Sequence, residues 1–146
     1  MKGNSMKPAL DDGSLAVIFK AAYGIKSPFK NCYLLRWAKP EQNDIVVFFK
    51  NGRFTVKRCV ASSGEPIEFI SNLSYTKNLN YAMKTGEKTI ALTGVQFRNL
   101  GGMSEKKIVP DGTILVLGDN LNSSYDSRDY GFIFTDGIIG KVLLWK

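Results

Sequence analysis

The side chains in this chain that could do chemistry lie in three short segments. Residues 3–8 carry a serine, Ser5, in a turn rich in glycine and proline, and residues 55–58 carry an amine, Lys57. The third segment, residues 118–131, combines small polar side chains with several charges and includes Ser124. A hydroxyl, an amine and a polar loop are components of nucleophilic catalysis if the fold brings them together.

A serine becomes a nucleophile only when a nearby base removes its proton. The sequence contains no histidine, which excludes a Ser-His-Asp triad and leaves lysine and the carboxylates as candidate bases. A lysine can act as a base only when it is uncharged, and apolar surroundings lower its pKa in that direction. Lys57 lies within the apolar stretch 54–60, although a lysine on a strand is also a common surface residue. Arg58 should point the opposite way, solvated or ion-paired.

Each segment also allows a purely structural role. Residues 118–131 follow the apolar run 113–117, and polar loops that follow buried strands often carry function. Asn and Asp in such numbers also make hydrogen-bonded turns, and a serine between glycine and proline is typical of a turn. The combination of the three segments, rather than any one of them, favours a site.

The composition is that of an ordinary globular protein. With 146 residues, 44% of them hydrophobic, the chain can bury a core, and we expect a single domain over residues 1–146 with a small excursion at 71–110. The net charge of +7 suggests an anionic membrane or a nucleic acid as partner. The basic residues are scattered rather than clustered, so we expect no nucleic-acid partner.

The two cysteines, Cys32 and Cys59, are far apart in the sequence. They do not have the spacing of metal ligands, and the lack of histidine excludes a His-ligated site, so we expect no metal and no cofactor. The sequence leaves open whether the two cysteines form a disulfide or remain free thiols.

Short strands must position the three segments. Residues 15–19 predict a central strand, residues 44–50 and 53–60 predict a hairpin joined at Asn51-Gly52, and residues 67–70 predict its continuation as an antiparallel meander. Further elements are predicted at 89–92, 113–117 and 138–145 as strands and at 95–100 as a helical turn. Residues 21–43 read as irregular, and their apolar side chains could cover an end of the core or face a membrane or a partner. The pattern predicts a mostly β fold in which antiparallel sheets form a barrel or sandwich-like core.

Together the three segments resemble the characteristic boxes of bacterial type I signal peptidases, the Ser/Lys endopeptidases whose fold is related to that of SOS-type repressors. The serine box G-x-S-M-x-P matches residues 3–8, and the lysine box ends in K-R at 57–58. The long box G-D-N-x-x-x-S-x-D-S-R-x-x-G matches residues 118–131. Pro110 and residues 139–141 also fit, so that the resemblance spans nearly the whole chain in order and spacing.

The resemblance implies a role for each catalytic residue. Ser5 would attack the scissile carbonyl, and its N–H would be one oxyanion donor. Lys57, uncharged, would be the general base and then the proton donor to the leaving amine, while Ser124 would orient the lysine amine. Gly3 stands where some family members place a second, side-chain oxyanion donor.

The resemblance also implies the surroundings of the site. The oxyanion hole and substrate groove would be formed by Gly3, Ser5, Met6, Pro8 and Val56. The substrate would bind as an added β-strand, with small residues before the cut as in A-x-A sites. The polar loop would be supported by Asp119, Asn120, Asp126 and Arg128.

The implied partners are the signal peptides of exported preproteins and an anionic membrane surface. The implied location is the extracytoplasmic face of the cell membrane, and we expect the family's N-terminal membrane anchor to be absent from this chain. The apolar stretch 23–37 and the net charge of +7 suit an anionic bilayer.

Other functions are compatible with parts of the sequence. A specialised peptidase for conjugation or pilin maturation would carry the same boxes. A catalytically silent pilus assembly factor is disfavoured because Ser5 and Lys57 are both present. A self-cleaving repressor is disfavoured because no helix-turn-helix pattern is evident, and only the charge suggests a nucleic-acid-binding barrel.

Overall fold

The structure of the protein, a computed structural model, describes residues 3–30, 32–73, 79–102 and 106–145. The strands within these ranges are β1 (Ala16–Phe19), β2 (Gly24–Lys26), β3 (Tyr33–Arg36), β4 (Ile45–Lys50), β5 (Arg53–Ser62), β6 (Pro66–Leu73), β7 (Leu79–Thr85), β8 (Lys88–Leu92), β9 (Lys106–Ile108), β10 (Thr113–Leu117), β11 (Ile133–Phe134) and β12 (Ile138–Trp145). The helices are α1 (Gly94–Asn99) and α2 (Ser127–Tyr130), with short 3₁₀ helices at Leu121–Ser123 and Thr135–Gly137.

The largest sheet has six strands in the order β1-β12-β4-β5-β10-β11, and every neighbouring pair is antiparallel. The predicted mostly β fold with antiparallel sheets is confirmed. The sheet is open rather than closed into a barrel, because β1 and β11 are its two edges.

The β4–β5 hairpin forms as predicted from Asn51-Gly52. The two turn residues have φ angles of 50° and 75°, which is the requirement of the tight hairpin turn that follows the twist of the strands. The register pairs Val46 with Lys57 and Lys50 with Arg53. This hairpin therefore fixes the position of the candidate base in the middle of the sheet.

The strand after the hairpin does not continue the predicted meander. β6 belongs to a second antiparallel sheet of four strands, in the order β8-β7-β6-β9. The turn at 62–66 directs the chain away from β5, and it is tied to the segment before β10 by Gly64 N–H to Val109 O (3.0 Å) and Val109 N–H to Glu65 O (2.9 Å). The predicted strand at 89–92 and helical turn at 95–100 correspond to β8 and α1, while β7 and β9 had no clear signal in the sequence.

Two predictions near the N-terminus are wrong. β1 is an edge strand that pairs with β12 alone among the described strands, and Val17 on it is 55% exposed, so its apolar residues do not mark a central strand. Residues 21–43 are not irregular throughout, because β2 and β3 form a hairpin there. Tyr23 of this region is buried against the core, whereas Leu34 and Leu35 are exposed. Cys32 and Cys59 are both free thiols.

Candidate active site

Lys57 lies in the middle of β5 and is 3% exposed. Cys59, two residues along the strand, is fully buried in a core cluster that includes Val46 and Val116. Burial lowers the pKa of the Lys57 amine, because the charged form loses hydration. The carboxylate of Asp126 opposes this shift, and the Arg128 guanidinium adds to it, with smaller opposing effects from Asp119 and Asp129.

The Lys57 amine donates a hydrogen bond of 2.8 Å to Ser124 Oγ. Ser124 follows the 3₁₀ helix Leu121–Ser123 and has extended backbone angles, which turn its side chain into the protein. A neutral amine that donates one N–H to Ser124 is fixed in direction and keeps its lone pair for another proton. The sequence resemblance implied this pairing, and the geometry places the two groups together.

An ion pair between Asp126 and Arg128 holds the loop that carries Ser124. The Asp126 carboxylate is fully buried and accepts from Arg128 Nε at 2.8 Å and Nη2 at 3.0 Å. It also accepts from Gly118 N–H at 3.1 Å, while Arg128 Nη2 donates to Leu121 O at 2.8 Å. The pair thus joins the beginning of the loop to its middle and its end.

Two further contacts fix the loop to the sheet. Ser127 Oγ is buried and accepts from the Val116 N–H of β10 at 3.0 Å. Asp119 accepts two hydrogen bonds of 2.7 Å from the Arg58 side chain, which is the bidentate arrangement that gives a guanidinium–carboxylate pair its direction. Arg58 is therefore the ion-paired neighbour of Lys57 that the strand pattern predicted.

The same loop also holds the segment that carries Ser5. The Asn120 N–H donates to Ser5 O at 3.0 Å, and the Asn120 side-chain amide donates to Asn4 O at 3.2 Å. At Gly118 an added Cβ would lie 2.2 Å from Ser124 Oγ and 2.4 Å from Ser5 O. Glycine at this position permits the close approach of the two serine-bearing segments.

Ser5 is half-buried and stands where two cavities meet. One, of about 500 Å³, is also lined by Lys57, Ser123 and Tyr130. Within the described ranges, neither the Ser5 N–H nor its Oγ has a hydrogen-bond partner. Both groups are thus available to a substrate, and the hydroxyl and the lysine share one cavity without a direct hydrogen bond between them.

The second cavity bordered by Ser5 is a mostly apolar groove of about 630 Å³. Gly3, Met6 and Val56 line it, as the resemblance implied, together with Val47 and side chains of β1 and β12. Pro8 is exposed and lies outside the lining of both cavities. The Gly3 N–H donates to Asp12 Oδ1 at 2.8 Å, which ties down the start of the segment.

Several residues of the smaller cavity were not singled out from the sequence. They are Lys50, Asn51, Arg53, Thr55, Ser123, Tyr125 and Tyr130. Arg53 and Thr55 could have been found, because they share a strand face with Lys57 at a period of two residues. Tyr130 had no such signal, since α2 brings it to the cavity only in the folded chain. Its hydroxyl is buried and has no hydrogen-bond partner in the described part of the chain.

Among the described residues there is neither a candidate metal cluster nor a membrane-spanning helix. No group of three or more His, Cys, Asp or Glu side chains there could hold a metal ion. The helices in these ranges lack the length and hydropathy to cross a bilayer.

Comparison of the sequence with known proteins places this chain among peptidases. Residues 1–145 match the family described as signal peptidase, peptidase S26. Signal peptidase I of Bacillus caldolyticus is 34% identical over 97% of this chain and 74% of its own length, and signal peptidase IB of Staphylococcus aureus (strain COL) is 30% identical over 97% and 73%. A crystal structure of a signal peptidase I from Enterococcus faecalis V583 matches 73% of this chain and 98% of that chain at 25% identity, with a TM-score of 0.44.

Proposed function

The chain belongs to the signal peptidase family, peptidase S26, and we propose that it removes signal peptides from exported preproteins by means of a Ser5/Lys57 dyad. The observation that carries the proposal is the buried Lys57 amine, held 2.8 Å from Ser124 Oγ in the cavity that Ser5 also lines. A buried, oriented amine in the same cavity as an unpaired hydroxyl is an arrangement from which a Ser/Lys mechanism can start.

The chemistry begins with uncharged Lys57, which takes the proton of Ser5 Oγ as that oxygen attacks the scissile carbonyl. The carbonyl oxygen becomes an oxyanion, and the free Ser5 N–H is placed to donate to it. The Lys57 ammonium then gives its proton to the leaving amine, so that the C–N bond breaks and an ester to Ser5 remains. Water, activated by the same amine, hydrolyses the ester. The hydroxyl–amine hydrogen bond that starts this sequence would form in the complex with substrate.

The apolar groove would bind the residues that precede the cut. Met6 and Val56 give it an apolar wall, and an extended substrate places alternate side chains against such a wall. We propose that the enzyme cleaves after small residues, in A-x-A sites.

We also propose that the protein works at the extracytoplasmic face of an anionic membrane, which it contacts through the β2–β3 hairpin. Leu34 and Leu35 on β3 and Trp37 directly after it are exposed, at 68%, 60% and 53%. Residues 20–39 contain five Lys or Arg side chains and no Asp or Glu, and each basic residue near an anionic bilayer contributes about 1 kcal/mol. Apolar and basic side chains together are the composition of an interfacial segment.

The test of the peptidase proposal is cleavage of a preprotein in detergent. Ser5→Ala and Lys57→Met should each abolish cleavage while circular dichroism shows an intact fold. Lys84→Met, the same change at an exposed lysine of the second sheet, is the matched control and should cleave normally. Cleavage by either active-site variant would refute the dyad.

The membrane proposal is tested by co-sedimentation with vesicles. The protein should bind vesicles that contain anionic lipid more strongly than zwitterionic ones, and the double variant Leu34→Ser/Leu35→Ser should bind more weakly. Equal binding of wild type and variant would show that the hairpin does not contact the membrane.

A further inference from the structure

The smaller of the two cavities at Ser5 carries an unbalanced positive charge. We infer that it binds an acidic side chain of the substrate, within the first four residues after the scissile bond. This inference rests on the proposed signal peptidase function, and it assigns a substrate preference that the dyad alone does not provide.

The charges in this cavity come from Lys50, Arg53 and Lys57, and no Asp or Glu lines it. Neither Lys50 nor Arg53 forms an ion pair in the described part of the chain. When Lys57 is uncharged, as catalysis requires, Lys50 and Arg53 still present two cations to whatever occupies the cavity. Two neighbouring cations without a counter-charge favour an anionic ligand.

The hairpin register places the two cations together and at a defined distance from the base. Lys50 and Arg53 are cross-strand partners, and Arg53 lies four residues before Lys57 on the same face of β5. Four strand residues span about 13 Å, and an extended substrate covers the same distance in about four residues. The Lys50 amine lies 4.2 Å from the centre of the Tyr130 ring, a cation–π contact that holds it at the cavity wall.

The polarity of the two cavities indicates which of them binds the substrate residues before the cut and which binds those after it. Ser5, Arg53 and Thr55 line both cavities, so the scissile bond at Ser5 lies at their junction, whereas Lys50 lines the smaller cavity alone. The apolar groove suits the small residues before the cut, and the residues after it therefore enter the basic cavity. An Asp or Glu on that side meets complementary charge, which contributes specificity more than overall affinity.

The experiment compares two series of peptides with the same A-x-A site. One series carries Asp at the second, third or fourth position after the cut, and the other carries Asn at the same position. At low ionic strength the wild type should cleave the best Asp peptide about threefold to tenfold faster in kcat/KM than its Asn twin. The ratio should fall towards one as salt screens the cations.

Variants of the two cations identify the source of the preference. The ratio should drop to about one in Lys50→Gln/Arg53→Gln and should fall below one in Lys50→Glu/Arg53→Glu. Because each ratio is taken within one variant, a general loss of activity cancels. Arg98→Gln, which removes an exposed charge on α1, should keep the wild-type ratio.

The outcomes separate this inference from the proposed function. Equal cleavage of the Asp and Asn peptides by the wild type at low salt would overturn the acidic preference and leave the peptidase standing. A preference that survives in both double variants would overturn the assignment to Lys50 and Arg53. Failure to cleave any peptide or preprotein would overturn the proposed function and this inference with it.

Discussion

Removal of the Asp126 carboxylate should destabilise the protein strongly. The Asp126 carboxylate is fully buried, and its two oxygens accept from the Arg128 side chain at 2.8 and 3.0 Å. Asp126→Ala leaves the Arg128 guanidinium, whose side chain is 6% exposed, as an unpaired buried charge. Breaking a buried pair on one side costs about 3–5 kcal/mol.

Thermal and urea unfolding measure this effect, and a double-mutant cycle isolates its cause. In a domain of this size, 3–5 kcal/mol corresponds to a fall in Tm of about 10 °C or more. Arg128→Met supplies an uncharged side chain of similar length. The double variant Asp126→Ala/Arg128→Met should be less destabilised than the sum of the single variants, with a coupling of about 2–3 kcal/mol.

Cleavage activity should depend on the Asp126–Arg128 ion pair as well, because the pair holds both ends of the loop that carries Ser124. All three variants should lose cleavage, including the double variant that regains part of its stability. Single-variant effects that add to within about 0.5 kcal/mol would refute the ion pair as the element that organises the loop.

Three further predictions concern single residues at the site. The pKa of the buried Lys57 amine lies below its ordinary value of 10.5, so between these two pKa values the unfolded chain binds more protons than the folded protein and stability rises with pH. Lys57→Met should therefore increase the free energy of unfolding at pH 7, by about 1.4 kcal/mol for each unit of lowering, and the gain should shrink as urea unfolding is repeated towards pH 10.5. Gly118→Ala would place a Cβ 2.2 Å from Ser124 Oγ, and a displacement of that size should lower kcat/KM about 100-fold, whereas Gly137→Ala, where a Cβ would meet no atom within 4 Å, should be active. Tyr130→Phe removes a buried hydroxyl that has no hydrogen-bond partner in the described residues, so thermal unfolding should show unchanged or slightly increased stability. A decrease in the free energy of unfolding of more than about 1 kcal/mol would show that the hydroxyl forms a hydrogen bond.

The sequence was informative where local pattern determines structure. The Asn51-Gly52 turn needs two residues that tolerate positive φ, and this requirement alone fixed the β4–β5 hairpin and its register. The alternation along β5 then placed Lys57 on the buried side and made Arg58 available to a carboxylate. The run 113–117 was predictable for the same reason, since five successive buried residues need an apolar side chain on both faces of the strand.

The sequence was uninformative where the structure depends on strand pairing and tertiary contacts. Residues 15–19 are as apolar as a central strand, but β1 has one partner strand and exposes Val17, because edge or centre depends on how many strands pair with it. The turn at 62–66 gives no sign of which sheet receives β6. Likewise, the basic cavity needs α2 to bring Tyr130 over Lys50, a tertiary contact that has no counterpart in sequence spacing.

The central claim is that an uncharged, buried Lys57 is the base. The pH dependence of kcat/KM on a signal-peptide substrate tests it most directly, because this profile reports the ionisation of the free enzyme. With Lys57 as base, activity should be lost on the acid side as the amine gains a proton, with an apparent pKa below the ordinary lysine value of 10.5. A rate that stays constant down through mildly acidic pH, or one that rises only near 10.5, would contradict the account.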